Sequence, residues 1–390
     1  MTKNILFYLT RYPAVSGGIE RVTTSLANEL SSEGYKVVIL SVYQQDSSSG
    51  DYLLPVKSVK VLRLPDEMDK LLSNRNISFF NSVIENEDID TIVYQDSYAN
   101  SHTLLKQVSR KVRLVVVEHT MPTCSLAAIK SEFRYKEISN FRDVVRKVMF
   151  PLLYVKNKRR IQKRHAELYA MADKYVVLAS EYINQIKELI GKNDVERKLT
   201  FINNPITTEL NLKIDYDNKK DILFVGRLEA QKGIGFLLEI WKRFCKVRPG
   251  WHLRIVGDGP LRADIEKRIK NESLQNVILE GNVVNTVPVY RGGVILCMTS
   301  VYEGWPLVLA ESFANGVVPL AFGSFGAIND IIDDGVNGYI ISPFNLEEYV
   351  DKMCNLVDNN DMRQRMAEKG IEKARNFAMT NIIKKWIDII

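Results

Sequence analysis

Short apolar runs rich in β-branched residues alternate along the chain with longer amphipathic stretches. This alternation predicts βα units whose strands form a mainly parallel sheet. It occurs twice, from Ile5 to Ile202 and from Ile222 to Ile341, with the polar segment Asp215–Asp221 between the two series. We therefore expect an α/β protein with two Rossmann-like domains that face each other across a cleft.

The individual strands can be placed from the apolar runs. They are predicted at Ile5–Leu9, Lys36–Ser41, Val59–Leu64, Thr91–Tyr94, Arg113–Val117, Tyr175–Ala179, Leu199–Ile202, Ile222–Val225, His252–Val256, Val277–Leu279, Val294–Met298, Val318–Ala321 and Gly338–Ile341. Helices are expected in most gaps, including Ile19–Ser32 and Glu181–Ile190, with a linker near Pro205–Lys220. The predicted domains are residues 1–205 and 206–374, and a C-terminal helix at 375–390 is expected to return to the first domain.

In open parallel sheets a ligand binds beyond the carboxyl ends of the strands, so the turns there are the places to look for chemistry. The first strand is followed by Gly17 and Gly18 at the start of a helix. Paired glycines let backbone N–H groups approach an anion at a helix N-terminus. A plain tight turn explains the same pair equally well.

The second series opens with a strand, Gly226, and two cations, Arg227 and Lys232. Two fixed cations at a strand end can hold a diphosphate and neutralise it as it leaves. The alternative is a solvated turn with no ligand. Gly257 follows the next strand in a second glycine turn, which alone is a weak signal.

The stretch Ser300–Gly316 is the most informative part of the sequence. A helix is predicted from Pro306 to about Ala314, and its apolar residues on nearly every side predict that it is buried. Glu311 on this helix then needs a hydrogen-bonding partner, because burying an unpaired charge is costly. Glu303 lies just before the helix. The carboxylates of Glu303 and Glu311 could accept hydrogen bonds from two separate hydroxyl-bearing groups. The alternative for Glu311 is a pairing with a buried cation.

These residues carry a family resemblance. Gly226-Arg227 with Lys232-Gly233, Gly257-Asp-Gly-Pro260, Leu279-Glu-Gly281 and the Glu303-x7-Glu311 pair occur in the order and spacing of family 4 (group 1) retaining glycosyltransferases of the GT-B fold. The match covers Ile222 to about Ser342. In the first domain it is looser and depends on Gly17-Gly18 and Glu118-His119-Thr120.

The resemblance implies a nucleotide-sugar donor, most simply a UDP-sugar, held mainly by the second domain. It implies that Glu311 binds the ribose, that Glu303 binds the transferred sugar, and that Arg227 and Lys232 clamp the diphosphate. It also implies that His119 touches the donor sugar and orients the acceptor. The donor-binding set is Gly17, Gly18, Gly226, Gly257, Gly281, Val283, Gly304, Trp305, Pro306, Leu307, Val308 and Glu311.

Neither a metal nor another cofactor is expected. Cys124, Cys245, Cys297 and Cys354 lie far apart, and the four histidines form no HExxH or ligand cluster. The acidic pair Asp88 and Asp90 superficially matches a metal-binding DxD sequence, but it immediately precedes a predicted strand. We interpret it as a helix-to-strand connection.

The composition, 46 % apolar and 26 % charged, is typical of a globular protein, and the absence of a long apolar run predicts a cytoplasmic location. The net charge of +6 is unevenly distributed. The segment from Lys130 to Arg164 contains twelve basic and three acidic residues, so its net charge is +9. The rest of the chain then has a net charge of −3. The cations singled out for a membrane or acceptor face are Arg146, Lys147, Lys156, Lys158, Arg159 and Arg160.

Apolar residues recur at helical spacing among these cations, as in Val144, Val145 and Val148. A basic amphipathic helix of this kind suits an anionic membrane surface. The alternative is a helix packed on its own domain with a solvated face. Nucleic acid is not expected, since the charge is local and no base-stacking module is present.

The resemblance thus implies a metal-independent retaining glycosyltransferase, and we expect it to act on a lipid-linked glycan in bacterial polysaccharide or glycoconjugate synthesis. It would associate peripherally with the inner face of the plasma membrane. A catalytically silent nucleotide-sugar or glycan-binding scaffold is the alternative. A nicotinamide-dependent dehydrogenase is disfavoured, because no strand and glycine turn is followed by the expected ribose-binding acid.

Overall fold

The computed structural model describes residues 3–12, 17–43, 57–95, 100–135, 141–193, 195, 197–208 and 219–390, with the backbone alone at 132, 134, 135 and 141–143. Most of the predicted linker, residues 209–218, lies outside the described residues. None of the helices that the structure describes is long and apolar enough to span a bilayer.

The chain divides into two compact units. The first comprises Met1–Pro122, Lys156–Thr207 and Met379–Ile390, and the second comprises Thr123–Val155 and Thr208–Ala378. The predicted domains differ from this division chiefly at residues 123–155, which the sequence assigned to the first domain. The hydrophobic pattern shows that these residues are helical, but it does not show which unit they join.

A seven-stranded parallel sheet forms the centre of the first unit, in the order β3-β2-β1-β4-β5-β6-β7. Its strands are β1 (Asn4–Arg11), β2 (Lys36–Tyr43), β3 (Lys60–Arg63), β4 (Thr91–Tyr94), β5 (Arg113–Glu118), β6 (Lys174–Val177) and β7 (Leu199–Phe201). Its helices are α1 (Gly18–Ser32), α2 (Asn74–Asn86), most of α5 (Phe150–Met171), α6 (Ser180–Ile190) and α14 (Met379–Ile387).

The second unit is built around a six-stranded parallel sheet in the order β10-β9-β8-β11-β12-β13. Its strands are β8 (Asp221–Val225), β9 (His252–Val256), β10 (Val277–Gly281), β11 (Gly293–Met298), β12 (Val318–Phe322) and β13 (Tyr339–Ile341). Its helices are α3 (Cys124–Tyr135), α4 (Phe141–Val148), α7 (Ile234–Val247), α8 (Arg262–Asn271), α9 (Val287–Gly292), α10 (Leu307–Ala314), α11 (Ile328–Ile331), α12 (Leu346–Asp358) and α13 (Asn360–Ala374).

The central strands are continuous apolar runs between their end residues, as expected for a parallel sheet that helices cover on both faces. Ile5–Tyr8 in β1 are fully buried, and every residue of β11 is buried. Each large apolar side chain removed from water contributes about 1.5–3 kcal/mol. All thirteen predicted strands are present within a few residues of their predicted ends.

Strand order fixes where a ligand can bind in each sheet. β8 lies between β9 and β11, so the connections that leave β8 and β11 diverge to opposite sides of the second sheet. Such a switch point leaves a crevice at the carboxyl ends of the two strands. The turns after β8 and β11 are the ones in which the sequence places Lys232 and Glu303.

The C-terminal helix belongs to the first unit. The chain leaves the second unit after Ala378, and α14 contacts α1. Arg113 Nε donates to the carbonyl of Ile389 at 3.0 Å, and Lys3 donates to the carbonyl of Ile390. The prediction that the C-terminal helix returns to the first domain is therefore confirmed.

Candidate functional site

The turn after β8 carries both predicted cations. Gly226 N donates to the carbonyl of Val256 at 2.9 Å, and Arg227 follows with a side chain that is 58 % exposed. Arg227 pairs with Glu229 at 2.5 Å. A short 3-10 turn, Ala230–Lys232, then leads into α7 through Gly233. Arg227 is thus solvated and can turn toward an anion, whereas Lys232 is fixed by the 3-10 turn.

This 3-10 turn is bound to the segment that follows β11. Val301 N donates to the carbonyl of Gln231 at 2.7 Å, and Thr299 Oγ1 donates to the carbonyl of Lys232 at 3.0 Å. Gln231 Nε2 donates to the carbonyl of Tyr302 at 3.0 Å. These hydrogen bonds hold the two segments side by side.

The close approach of the 3-10 turn to the segment after β11 requires a glycine at position 233. Its φ is +63°, and a Cβ at this position would lie 2.0 Å from the carbonyl oxygen of Thr299. Any other residue would combine a left-handed backbone with a backbone clash. The glycine therefore determines how closely Lys232 lies to the end of β11.

Lys232 and Glu303 form an ion pair at the centre of the site. Lys232 Nζ donates to Glu303 Oε1 at 2.6 Å, and Gln231 Nε2 lies 3.5 Å from Glu303 Oε2. The Glu303 side chain is 8 % exposed. The sequence predicted separate roles for the two residues, and the structure brings them into direct contact.

Glu311 lies on α10, which is buried along almost its whole length as predicted. The residue is 1 % exposed, and its Oε2 accepts from the Tyr290 hydroxyl at 3.0 Å. Asn315 Nδ2 donates to the Glu311 carbonyl at 2.9 Å and closes the last turn of the helix. The expected hydrogen-bonding partner of the buried carboxylate is thus a phenol on α9.

The turn between the two glutamates ends at the N-terminus of α10. The first N–H groups of a helix lack intrahelical acceptors and attract an anion. Trp305, Pro306 and Leu307 are buried, and the Trp305 ring meets the edge of Phe377 at 5.1 Å between centroids. The indole thus packs in the interior of the unit, while Gly304 and Val308 are half-buried.

The other predicted glycines lie at adjacent strand ends. Gly257 N donates to the carbonyl of Gly281 at 2.7 Å, and a Cβ on Gly257 would lie 2.0 Å from the carbonyl oxygen of Gly226. Gly257 therefore has a packing role besides any contact with a ligand. Val283, two residues beyond β10, is half-buried.

In the first unit, residues 13–16 of the predicted glycine turn lie outside the described residues. Gly17 caps α1 and Gly18 begins it. A Cβ on Gly17 would lie 1.6 Å from Glu20 Oε2, so the Glu20 carboxylate lies over this end of the helix. Because a carboxylate there already complements the helix dipole, a donor phosphate would have to displace it.

His119 follows β5 directly and is 7 % exposed. Among the residues that the structure describes, its Nε2 has no hydrogen-bond partner. Burial lowers the pKa of His119 to about 4, so the imidazole is neutral at pH 7. A neutral ring with a sheltered nitrogen can donate or accept one hydrogen bond to a sugar hydroxyl.

The basic segment, residues 130–164, covers the end of α3, all of α4 and about two thirds of α5, and its residues 136–140 lie outside the described residues. Its apolar side chains are exposed, with Val148 at 74 % and Leu152 at 65 %. The exposed or half-buried cations nearby are Arg146, Lys147, Lys156, Lys158, Arg159 and Arg160. These apolar side chains are thus not packed in the interior of the unit.

Two family models match the chain in succession. The model described as Glycosyltransferase Family 4 matches residues 16–210, and the model described as Glycosyl transferases group 1 matches residues 208–373. The chain belongs to the family 4 (group 1) glycosyltransferases. The predicted family is therefore confirmed.

This glycosyltransferase is similar to several named bacterial proteins. The amylovoran biosynthesis glycosyltransferase AmsD of Erwinia amylovora is 26 % identical over 96 % of both chains. A Campylobacter jejuni GalNAc-α-(1→4)-GalNAc-α-(1→3)-diNAcBac-PP-undecaprenol α-1,4-N-acetyl-D-galactosaminyltransferase is 22 % identical over 96 % of this chain and 95 % of its own.

A solved variant of S. aureus TarM, in complex with Fondaparinux, α-GlcNAc-glycerol and UDP, superposes with a TM-score of 0.76. It is 14 % identical and covers 100 % of this chain and 99 % of its own. At this identity the likeness shows the fold, and the predicted GT-B fold is confirmed.

Sequence reasoning missed two residues of the site in this glycosyltransferase. Gln231 holds Tyr302 and Glu303, and Tyr290 holds Glu311. The need of a buried carboxylate for a partner was evident, but a phenol 21 residues away carries no sequence signal that identifies it. Both contacts depend on which elements become neighbours.

The described residues contain no group of three His, Cys, Asp or Glu side chains suited to a metal ion. Asp88 and Asp90 connect α2 to β4, as predicted. Asp90 Oδ2 accepts from Asn4 N at 2.8 Å, and Asp88 pairs with Arg110 at 2.9 Å. These contacts give the acidic pair a structural role.

Proposed function

We propose that this glycosyltransferase moves a sugar from a nucleoside-diphosphate sugar to a hydroxyl of a glycan, with retention of anomeric configuration. The observation that carries the proposal is the Lys232–Glu303 ion pair at the carboxyl ends of the adjacent strands β8 and β11. It combines a cation for a diphosphate with a carboxylate for sugar hydroxyls in one rigid contact. The UDP in the TarM complex supports a UDP-sugar as the donor.

Each charged side chain has a role in this proposal. Lys232 has three N–H donors, so it can bind a phosphate oxygen while one N–H stays on Glu303. Arg227, exposed beside Lys232 in the same turn, supplies a second cation to the diphosphate. Glu311 accepts from the ribose hydroxyls, Glu303 accepts from the transferred sugar, and His119 contacts that sugar and orients the acceptor.

The reaction follows a same-face route. The acceptor oxygen bonds to the anomeric carbon as the bond from that carbon to the diphosphate oxygen breaks. The acceptor proton passes to the departing diphosphate oxygen, whose charge Arg227 and Lys232 stabilise. Glu303 is not assigned as a nucleophile in this scheme; its Oε1 accepts from Lys232. The two cations neutralise the leaving group, so no divalent ion is needed.

We propose that the acceptor is a lipid-linked glycan in bacterial polysaccharide or glycoconjugate synthesis. The undecaprenol-linked substrate in the name of the Campylobacter relative and the amylovoran in the name of AmsD support this class. The exposed apolar and basic residues of α4 and α5 support binding to an anionic membrane surface, at roughly 1 kcal/mol per cation near it. The protein would then act at the cytoplasmic face of the plasma membrane.

The proposal is tested with purified protein and a panel of sugar nucleotides, with and without lipid-linked acceptors and with EDTA. Nucleotide release and product mass are measured. We expect transfer from one donor with little loss of rate in EDTA. Strict dependence on an added divalent ion would contradict the metal-independent route. Nucleotide binding without turnover on any acceptor would favour a silent scaffold.

A further inference from the structure

His119 lies in a turn whose neighbouring residues are tied to each other. Glu118, the last residue of β5, is 2 % exposed, and its Oε1 accepts from Thr120 Oγ1 at 2.6 Å. Thr120 N lies 3.4 Å from the same oxygen. The carboxylate before His119 therefore holds the residue after it, which restricts the backbone between them.

A second histidine, His165 on α5, holds this turn from the other side. Its Nε2 lies 3.3 Å from the carbonyl oxygen of Pro122, and its Nδ1 lies 2.8 Å from the Tyr175 hydroxyl. A carbonyl oxygen only accepts, so Nε2 carries the proton and Nδ1 accepts from Tyr175. Glu118 Oε2 lies 3.7 Å from the same Nδ1.

Burial determines the protonation states of His165 and Tyr175 in this network. His165 is 4 % exposed, and burial lowers its pKa, with Glu118 opposing and Arg164 adding to the shift. Burial and the charge of Glu118 raise the pKa of Tyr175 well above its usual range. Near neutral pH the Tyr175 phenol thus keeps its proton and donates, and the lowered pKa of His165 favours its neutral ring. The support behind His119 therefore has one arrangement of hydrogen bonds.

From this geometry we infer that Thr120 and His165 are positioning residues for His119. Glu118, Thr120 and Pro122 are held on both sides of His119, so the restrained backbone limits the orientations that its ring can adopt. Loss of the Thr120 or the His165 hydrogen bond would release the 118–122 turn while the His119 imidazole stays in the protein. The importance of this orientation for sugar transfer rests on the proposed function, whereas the orientation itself is a property of the first unit.

Nuclear magnetic resonance of ¹⁵N-histidine-labelled protein tests the orientation without any substrate. The variants are Thr120→Val, which removes the hydroxyl at constant shape, and His165→Gln. Thr120→Ser, which restores the hydroxyl, is the rescue. The control is His102→Gln: His102 is also buried and lies 3.5 Å from Glu167 of α5, outside the 118–122 turn.

We expect the His119 ring signals to shift or broaden in Thr120→Val and His165→Gln, and to stay at their wild-type positions in Thr120→Ser and His102→Gln. Unchanged His119 signals in folded Thr120→Val and His165→Gln would overturn the inference. If His165→Gln fails to fold, the comparison of Thr120→Val with Thr120→Ser tests the inference by itself.

Turnover adds a second readout. With the donor found in the panel, we expect Thr120→Val to lower kcat about tenfold and to change the donor KM less than twofold, because the charged side chains proposed to bind the donor, Lys232, Glu303 and Glu311, lie in the second unit and are unchanged. Thr120→Ser is expected within twofold of wild type. Wild-type kcat in a variant whose His119 signals move would overturn the positioning role. If the wild-type protein transfers no sugar, the proposed function is contradicted. The NMR test of the His119 orientation remains valid, because it needs no substrate.

Discussion

Lys232 Nζ lies 2.6 Å from Glu303 Oε1, although the two residues are 71 positions apart in the chain. The contact exists because β8 and β11 are neighbours in the second sheet and the turns beyond them share hydrogen bonds. In the proposed function, a cation for phosphate and a carboxylate for sugar hydroxyls are thereby held in one place. Replacing either residue would then alter both halves of the proposed donor site.

Lys232→Ala is expected to lower sugar transfer at least 100-fold. It removes a fixed cation from the leaving group and takes the ammonium away from the buried Glu303 carboxylate. Initial rates of nucleotide release measure the effect. The matched control is Lys242→Ala, which breaks the Lys242–Glu272 ion pair (2.8 Å) in the same unit and is expected to transfer at the wild-type rate. Similar rates in both variants would refute the assigned site.

Gly233→Ala is expected to destabilise the protein far more than Gly191→Ala. Both glycines have a φ near +65°, so each alanine incurs about 1 kcal/mol of left-handed strain. Only at Gly233 does the added Cβ meet a backbone atom, 2.0 Å from Thr299 O, whereas Gly191 has nothing within 4 Å. We expect a loss of about 3 kcal/mol or more in the free energy of unfolding for Gly233→Ala. Equal melting temperatures for the two variants would contradict the proposed close approach.

Glu311→Gln is expected to weaken UDP binding about tenfold, or about 1.4 kcal/mol, since a neutral amide replaces a charged acceptor of ribose hydroxyls. Tyr290→Phe, which removes the 3.0 Å hydrogen bond to Glu311, should weaken binding less. Calorimetric titration with UDP gives both values. Ser312→Ala is the control, because its hydroxyl donates within the helix to Leu309. UDP affinity unchanged in Glu311→Gln would exclude a ribose contact.

The buried His119 makes the stability of the first unit depend on pH. Its folded pKa is about 4, below its usual 6.5, so the unfolded chain binds more protons between these values and stability falls as pH falls through this window. Between pH 7 and 5 we expect wild type to lose about 2 kcal/mol more than His119→Gln. Hydrogen–deuterium exchange of β5, corrected for intrinsic rates, measures the difference. Equal losses would mean that His119 is protonated without cost in the folded protein.

Replacement of Lys156, Lys158, Arg159 and Arg160 by Ser is expected to abolish flotation with anionic vesicles. Four cations at about 1 kcal/mol each correspond to roughly a thousandfold in binding. The control replaces four exposed lysines of the second unit with Ser: Lys246, Lys267, Lys270 and Lys369. Its flotation should match wild type. Equal flotation of both quadruple variants would argue against a membrane role for α5.

Much of the fold was predictable because the strands of a covered parallel sheet are continuous apolar runs. β4 and β9 were predicted with their observed ends, and α10 was predicted to within one residue at its start. The contacts of Glu303 with Lys232 and of Glu311 with Tyr290 were not predictable. They depend on strand order and on the packing of α9, which the sequence does not encode locally. For the same reason the sequence did not show that α3 and α4 belong to the second unit.

The most direct test of sugar transfer at the Lys232–Glu303 site is a time-resolved ¹H NMR spectrum of the reaction in EDTA, with the donor and lipid-linked acceptor found in the panel. The anomeric signals give the configuration of the donor and of the new linkage, and the nucleotide signals give the rate. We predict product with the donor's configuration from wild type and at least 100-fold slower product formation from Lys232→Ala. An inverted product, or transfer by Lys232→Ala at the wild-type rate, would contradict the account.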